Sequence, residues 1–283
     1  MAESRSQARV NKAVIPAAGL GTRMLPLTKV VPKELLPAGA KPMIHLAVEE
    51  AVASGVTQIC IVIRKGKELI RDYFSAAPSS ESKGSPLIEE WAKLTLSCEL
   101  CFACQEKPRG LGDALHAARD FVGGESFVMI IPDQFMQSDV PATAQILGRW
   151  VPGPSVWSGL VRLSRDDAPF FVGARGYDIG PEIHPGLFLL HGIHTEKAMN
   201  SRWGAQETQI RGIGRTVFPP EIFNYLGARY VNPSSGEVDL LKTFRKCLRM
   251  ATNYGVILSG EPVDLGTLPG YYRYVKRLWE ESR

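Results

Sequence analysis

The chain has 283 residues, 45% of them hydrophobic and 22% charged, with a formal net charge of +4; that is ordinary for a globular protein and fits one large α/β domain or two small ones. The slight, unclustered positive charge suits a small anionic substrate and speaks against a nucleic-acid partner. No apolar run approaches the roughly 18 residues of a membrane span, and the opening MAESRSQARVNK lacks an apolar signal-peptide core, so no membrane association is expected and the cytoplasm is the expected compartment.

In chain order, the first predicted element is a strand over Val14 to Ala17, which opens into the stretch AAGLGTRMLPLTKVVPKE. Gly19 and Gly21 let the backbone turn through positive φ and approach a ligand with no Cβ in the way. Arg23, Lys29 and Lys33 follow. Backbone N–H groups in such a turn form a concave anion site, and nearby guanidinium and ammonium groups supply the charge that a polyphosphate needs. A dinucleotide fingerprint would place glycine where Met24 stands, and no P-loop Gly-Lys-Ser/Thr follows; an oxidoreductase reading fails on that point. Pro26 and Pro32 disfavour helix at the residues before them, so the segment is expected to remain an extended loop.

An amphipathic stretch from Met43 to Ser54 comes next, then an Ile59 to Ile63 strand and a helix near Gly66 to Phe74. The polar segment 75–86 reads as a surface loop. A strand over Leu100 to Cys104, a helix over Leu111 to Phe121 and a strand over Phe127 to Ile131 complete the first half. The second half has shorter strands (Val156 to Leu163, Gly186 to Leu190, Gly212 to Phe218) and helices over Val238 to Met250 and Tyr271 to Glu281. Alternating strands and helices predict an α/β fold: a Rossmann-like three-layer sandwich with a mixed, mostly parallel central sheet. One domain is expected, in two halves over about 11–150 and about 151–283. Ligands on such sheets bind beyond the carboxyl ends of the strands, where the Gly19 loop falls.

Three smaller features need weighing. Cys98, Cys101 and Cys104 form a C-x-x-C-x-x-C run, but that spacing sends successive side chains to opposite faces of a strand, and buried small apolar residues are the better reading. The five cysteines are an odd number, consistent with reduced thiols. His191 and His194 lie in strand-like LFLLHGIHTE and read as core or cleft polar residues. Asp133 ends the FVMIIPD strand, a position suited either to a cation in the ligand cleft or to a helix N-cap.

The segment GLGTRMLPLTKVVPKELLP, continued by Lys41-Pro42-Met43, resembles the signature of the sugar-1-phosphate nucleotidylyltransferases, specifically the bacterial UTP–glucose-1-phosphate uridylyltransferases. The family pattern is G-x-G-T-R-M-x-P-x-T-K followed by P-K-E, and weaker matches extend the resemblance over roughly residues 11 to 280. It implies a reaction between UTP and a sugar-1-phosphate, glucose-1-phosphate foremost, that yields a UDP-sugar and pyrophosphate. Ala18, Gly19, Gly21 and Thr22 would then lie on the nucleotide, with Gln105 and Gly110 of the Q…R-G-L-G run at the uracil edge. Arg23 would hold the leaving phosphates, and Lys33 would sit between the α-phosphate and the incoming phosphate. Asp133 and Asp264 would bind Mg2+, and Glu196 and Lys197 would bind the sugar and its phosphate. A homo-oligomer, dimer or tetramer, is implied as well.

The resemblance makes about 11–150 the nucleotide-binding half and about 151–283 the sugar-binding half, and the sugar half departs from the family pattern. Ala198 replaces a proline after Glu196-Lys197, Phe170-Phe171 stands where a tyrosine–glycine pair faces the sugar, and Thr208-Gln209 stands for Ser-Asn. SGEVDLLKT keeps Glu237 alone of its motif's polar set. Another nucleotide-sugar pyrophosphorylase with a different sugar or base, or a non-catalytic nucleotide-sugar-binding regulatory relative, is the alternative reading.

Overall fold

The computed structural model describes residues 9–76, 84–172, 174–195, 198–199, 208–226, 231, 238 and 240–283. Its strands are β1 (Lys12–Pro16), β2 (Pro37–Ala38), β3 (Lys41–Pro42), β4 (Gln58–Ile63), β5 (Glu99–Cys104), β6 (Phe127–Ile130), β7 (Gln134–Gln137), β8 (Trp157–Ser164), β9 (Gly176–His184), β10 (Leu187–His194), β11 (Thr208–Phe218), β12 (Tyr254–Ile257) and β13 (Glu261–Asp264). The helices are α1 (Met43–Ala53), α2 (Glu68–Ser75), α3 (Pro86–Leu96), α4 (Leu111–Ala117), α5 (Arg119–Val122) and α6 (Ala142–Leu147), followed by the C-terminal helices Leu240–Met250 and Leu268–Glu281.

Nine strands form one sheet in the order β5-β4-β1-β6-β11-β8-β12-β10-β9. The first four are parallel, with Val14 of β1 opposite both Cys60 and Met129. Their residues alternate between two cores, as a pleated strand buried on both faces requires. Ala13, Ile15, Ile59, Ile61 and Val128 pack with Ile44, Val48 and Ile70 of α1 and α2. Val14, Cys60, Val62 and Met129 pack with Leu115 of α4 and Phe244 of the Leu240–Met250 helix.

The α/β class and the mixed sheet are as expected, but "mostly parallel" describes the first half only. From β6 onward the pairings β6–β11, β11–β8, β12–β10 and β10–β9 are antiparallel, and β8–β12 alone is parallel there. A single Arg211–Gly176 pairing brings β9 back to β11 and closes β11-β8-β12-β10-β9 into a ring. The physical reason is the β9–β10 hairpin, turned by Pro185 and by Gly186 at φ 73°; an antiparallel return needs no crossover helix.

Local expectations shift in detail. The Gly19–Leu35 stretch is not extended throughout: it winds through three short 3-10 turns, Thr22–Met24, Leu27–Lys29 and Lys33–Leu35. Leu25, before Pro26, is extended as proline demands. The predicted Leu111 to Phe121 helix is broken into α4 and α5. The cysteine run is not buried, since Cys98 and Cys101 are half-buried and Cys104 is exposed. Among the described residues no helix is long and apolar enough to cross a membrane.

One buried ion pair crosses the layers to support the site. Arg215 of β11 donates from Nη2 to Glu50 of α1 at 2.7 Å, and its Nη1 donates to the carbonyls of Ile131 and Gln134. Those carbonyls bracket the turn that carries Asp133, and Thr143 of α6 adds a 2.6 Å bond to Glu50. The scaffold is thus tied to the strand end from below.

Candidate active site

A cleft of about 690 Å³ opens at the carboxyl ends of β1, β5 and β6 and is walled on its far side by the ring; its size suits a small-molecule ligand. Ala18, Gly19, Gly21, Thr22, Arg23, Lys33, Gln105, Gly110, Asp133 and Asp264 all line it. Residues from four separate segments therefore meet in one place. Glu196 and Lys197 lie outside the described residues, as does Glu237.

Gly21 sits at φ 68°, where a side chain would be strained, and Thr28 Oγ1 donates to its carbonyl at 2.7 Å to close the loop. Nothing stands within 4 Å of the space a Cβ on Gly19 would fill, so the loop's face is open to a ligand. Arg23 is exposed and donates from Nη1 to the Val172 carbonyl at 2.7 Å, linking the loop to the opposite wall. Lys29, by contrast, is exposed and does not line the cleft.

The carboxylates are brought together by a small sheet that the sequence reading lacks. β7 pairs antiparallel with β13 in the register Asp264↔Gln134, and Leu265 N–H donates to the Asp133 carbonyl at 2.7 Å. A Cβ on Gly266 would lie 2.5 Å from Asp133 Oδ2 and 3.0 Å from Asp264 Oδ1, so both carboxylates face the same small space. Lys33 Nζ lies 2.5 Å from Asp133 Oδ2. Burial would push Asp133 up, but the Lys33 charge outweighs it and holds the carboxyl below its ordinary value. Burial would likewise push Lys33 down, and Asp133 with Glu34 raises it instead. Among the described residues no cation forms an ion pair with Asp264: burial, then the Asp133 charge, pushes it up to about 7. Two buried carboxylates with one ammonium between them are short of positive charge. All their donor atoms are hard oxygens, which fits a divalent cation of the Mg2+ type. Among the described residues no third carboxylate, histidine or cysteine joins them, so water and phosphate oxygens would complete the shell.

Glu34, Lys67 and Gln134 are residues that the sequence reading passed over. Lys67 Nζ donates to Glu34 Oε2 at 2.6 Å and to the Ala17 carbonyl at 2.7 Å, a buried pair beneath the loop. Gln134 Nε2 donates to Asp264 Oδ2 at 2.6 Å and orients it. The P-K-E motif could have flagged Glu34; nothing local flags the other two.

On the wall formed by the second half, Phe170-Phe171 does not face the cleft. Phe171 is in the core, and the Phe170 ring lies under the Arg273 guanidinium. Val172, Ala174 and Arg175 form that wall instead, because the 3-10 turn Ala168–Phe170 rotates the phenylalanines inward. His191 is exposed with its ring over Gly180, and His194 is paired with Asp178, so neither is a core residue.

Comparison with known proteins gives the family and the fold. Residues 12–150 match the nucleotidyl transferase family. A putative UTP–glucose-1-phosphate uridylyltransferase of Bacillus subtilis is 33% identical, covering 94% of this chain and 96% of the relative. The UTP–glucose-1-phosphate uridylyltransferase 1 of Staphylococcus saprophyticus is 31% identical, over 94% of this chain and 91% of its own length. Among solved structures, a UDP-glucose pyrophosphorylase complexed with UDP-glucose superposes with TM-score 0.83 at 23% identity, covering 96% of this chain and 99% of that one. A UTP-bound UGPase from Acinetobacter baumannii gives TM-score 0.76 at 25% identity, over 95% of this chain and 93% of that one.

Proposed function

This chain belongs to the UTP–glucose-1-phosphate uridylyltransferases of the nucleotidyl transferase family, and on that premise we propose that it converts UTP and glucose-1-phosphate to UDP-glucose and pyrophosphate. The observation that carries the proposal is the convergence of Lys33, Asp133 and Asp264 on the cleft that the Gly19–Arg23 loop opens into.

In this reading a sugar-phosphate oxygen attacks the α-phosphorus in line, and pyrophosphate leaves. A phosphate monoester with a second pKa of ~6 is already a dianion at neutral pH, so no general base is required. The protein's task is to position two polyanions and offset their charge. The N–H groups of Gly19 to Thr22 and the Arg23 guanidinium hold the departing phosphates. Lys33 lies between the α-phosphate and the incoming one, and Gln105 with Gly110 holds the base. Asp133 and Asp264 would hold Mg2+, which when bound would supply positive charge to offset that of the triphosphate. Glu196 and Lys197 take the sugar and its phosphate.

The same proposal treats the chain as a single nucleotidyltransferase domain. Its nucleotide half, about 11–150, is Rossmann-like, and its sugar half is about 151–283. A cytoplasmic homo-oligomer, dimer or tetramer, completes it. A panel of sugar-1-phosphates against UTP, dTTP and CTP, scored by pyrophosphate release, tests the reading. Glucose-1-phosphate with UTP should give the highest kcat/KM, and a higher value for another sugar would reassign the substrate.

A further inference from the structure

At the base end of the cleft, the Gln105 side chain is held in one orientation. Its Nε2 donates to Asp113 Oδ2 at 2.9 Å and to the Gly110 carbonyl at 3.0 Å. Gln105 is only 3% exposed, yet it lines the cleft. Among the described residues no donor engages its Oε1.

A glutamine amide can ordinarily turn over, exchanging donor for acceptor at either end. Here it cannot do so without penalty. A backbone carbonyl and a carboxylate only accept hydrogen bonds, so a turned amide would set an oxygen against two oxygens. Asp113 is itself fixed as an acceptor, because Arg109 Nη2 donates to its Oδ1 at 2.8 Å. The chain Arg109–Asp113–Gln105 therefore commits Oε1 to the cleft as a bare acceptor.

We propose that Asp113 is a positioning residue for base selection: by locking the Gln105 amide, it makes the site accept pyrimidines that carry a donor at N3 and reject those that carry an acceptor there. Uracil and thymine have N3–H, whereas cytosine presents a lone pair that would face Oε1. This rests on the reading above that Gln105 meets the base. It goes further in naming the residue that sets the polarity of that contact, and in placing UTP and dTTP together against CTP.

The consequence is large because the mismatch occurs in a desolvated site, where an unpaired polar group keeps its full penalty. Equilibrium binding of UTP, CTP and N3-methyl-UTP to the full-length protein tests it without requiring turnover. The wild type should prefer UTP over both others by about a hundredfold or more. Asp113→Asn can donate as well as accept, so it leaves only the Gly110 carbonyl opposing a turned amide, and the UTP/CTP ratio should fall to within about tenfold. Asp113→Glu, still an acceptor only, should retain the preference.

If Asp113→Asn weakens UTP and CTP equally with the ratio unchanged, Asp113 is merely structural and the proposal is wrong. It is equally wrong if the wild type binds N3-methyl-UTP or CTP as tightly as UTP, a result that needs no variant to fold. Tight, selective UTP binding with no pyrophosphate release would count against the enzyme reading and leave this inference standing.

Discussion

Lys33 Nζ and Asp133 Oδ2 lie 2.5 Å apart, an ion pair that joins the end of the glycine loop to the carboxyl end of β6. On the proposed reading, it makes the cation assigned to the reacting phosphates and a carboxylate assigned to Mg2+ hold one another in place. Lys33→Ala would then remove a transition-state cation and leave Asp133 and Asp264 as adjacent buried carboxylates without that ammonium. kcat should fall by about a hundredfold, the scale for losing one preorganised charge at the reacting group. Steady-state kinetics at saturating UTP is the check.

Arg23 is exposed and bonded to the Val172 carbonyl on the far wall, so its loss should leave the fold intact. Arg23→Ala should lower kcat by about tenfold or more. Turnover at the wild-type rate would remove Arg23 from the mechanism.

Gly266 faces both carboxylates, and an added Cβ would stand 2.5 Å from Asp133 Oδ2. Gly266→Ala should therefore spread the pair and raise the Mg2+ concentration needed for half-maximal rate by about tenfold or more, the scale on which small disturbances around a metal site act. Titrating the rate with Mg2+ reads this directly. An unchanged Mg2+ requirement would mean that the two carboxylates do not share a cation.

The loop from Gly19 to Lys33 could be read in the sequence because its signals are local: glycines, prolines and cations within one short span. The parallel half was legible for the same reason, since short apolar strands alternate with helical stretches. What could not be read depends on contacts between distant segments. Gln134 belongs to no motif in sequence, and its register with Asp264 in the β7–β13 pair gives it a purpose. Lys67 looks like a helix-flanking surface cation, yet it is 3% exposed and pinned to Glu34 and Ala17. The family pattern puts Phe170-Phe171 at the sugar, and a single 3-10 turn rotates it away from the cleft.

Glu50 and Arg215 form the buried pair behind the Asp133 turn. Removing one member leaves an uncompensated charge, so Glu50→Gln should cost about 3–5 kcal/mol in urea unfolding. Burial would raise the Glu50 carboxyl, but Arg215 and Thr143 outweigh it and hold it below its ordinary value. A depressed carboxyl contributes stability that is present above its unfolded value of about 4.3 and is lost as pH falls through the lower folded value. Wild-type stability should therefore drop across that acid window, and the difference from Glu50→Gln should narrow there. An equal gap between the two proteins down to the acid limit would mean that the pair carries no linkage.

On the proposed reading this cleft joins a uridylyl group to glucose-1-phosphate. Supplying the purified protein with UTP, glucose-1-phosphate and Mg2+ and measuring pyrophosphate and UDP-glucose together tests that reaction. Both products should form in equal amounts, and only when both substrates and the divalent cation are present. UTP bound in the cleft with neither product formed, under conditions where the protein is folded, would overturn the assignment.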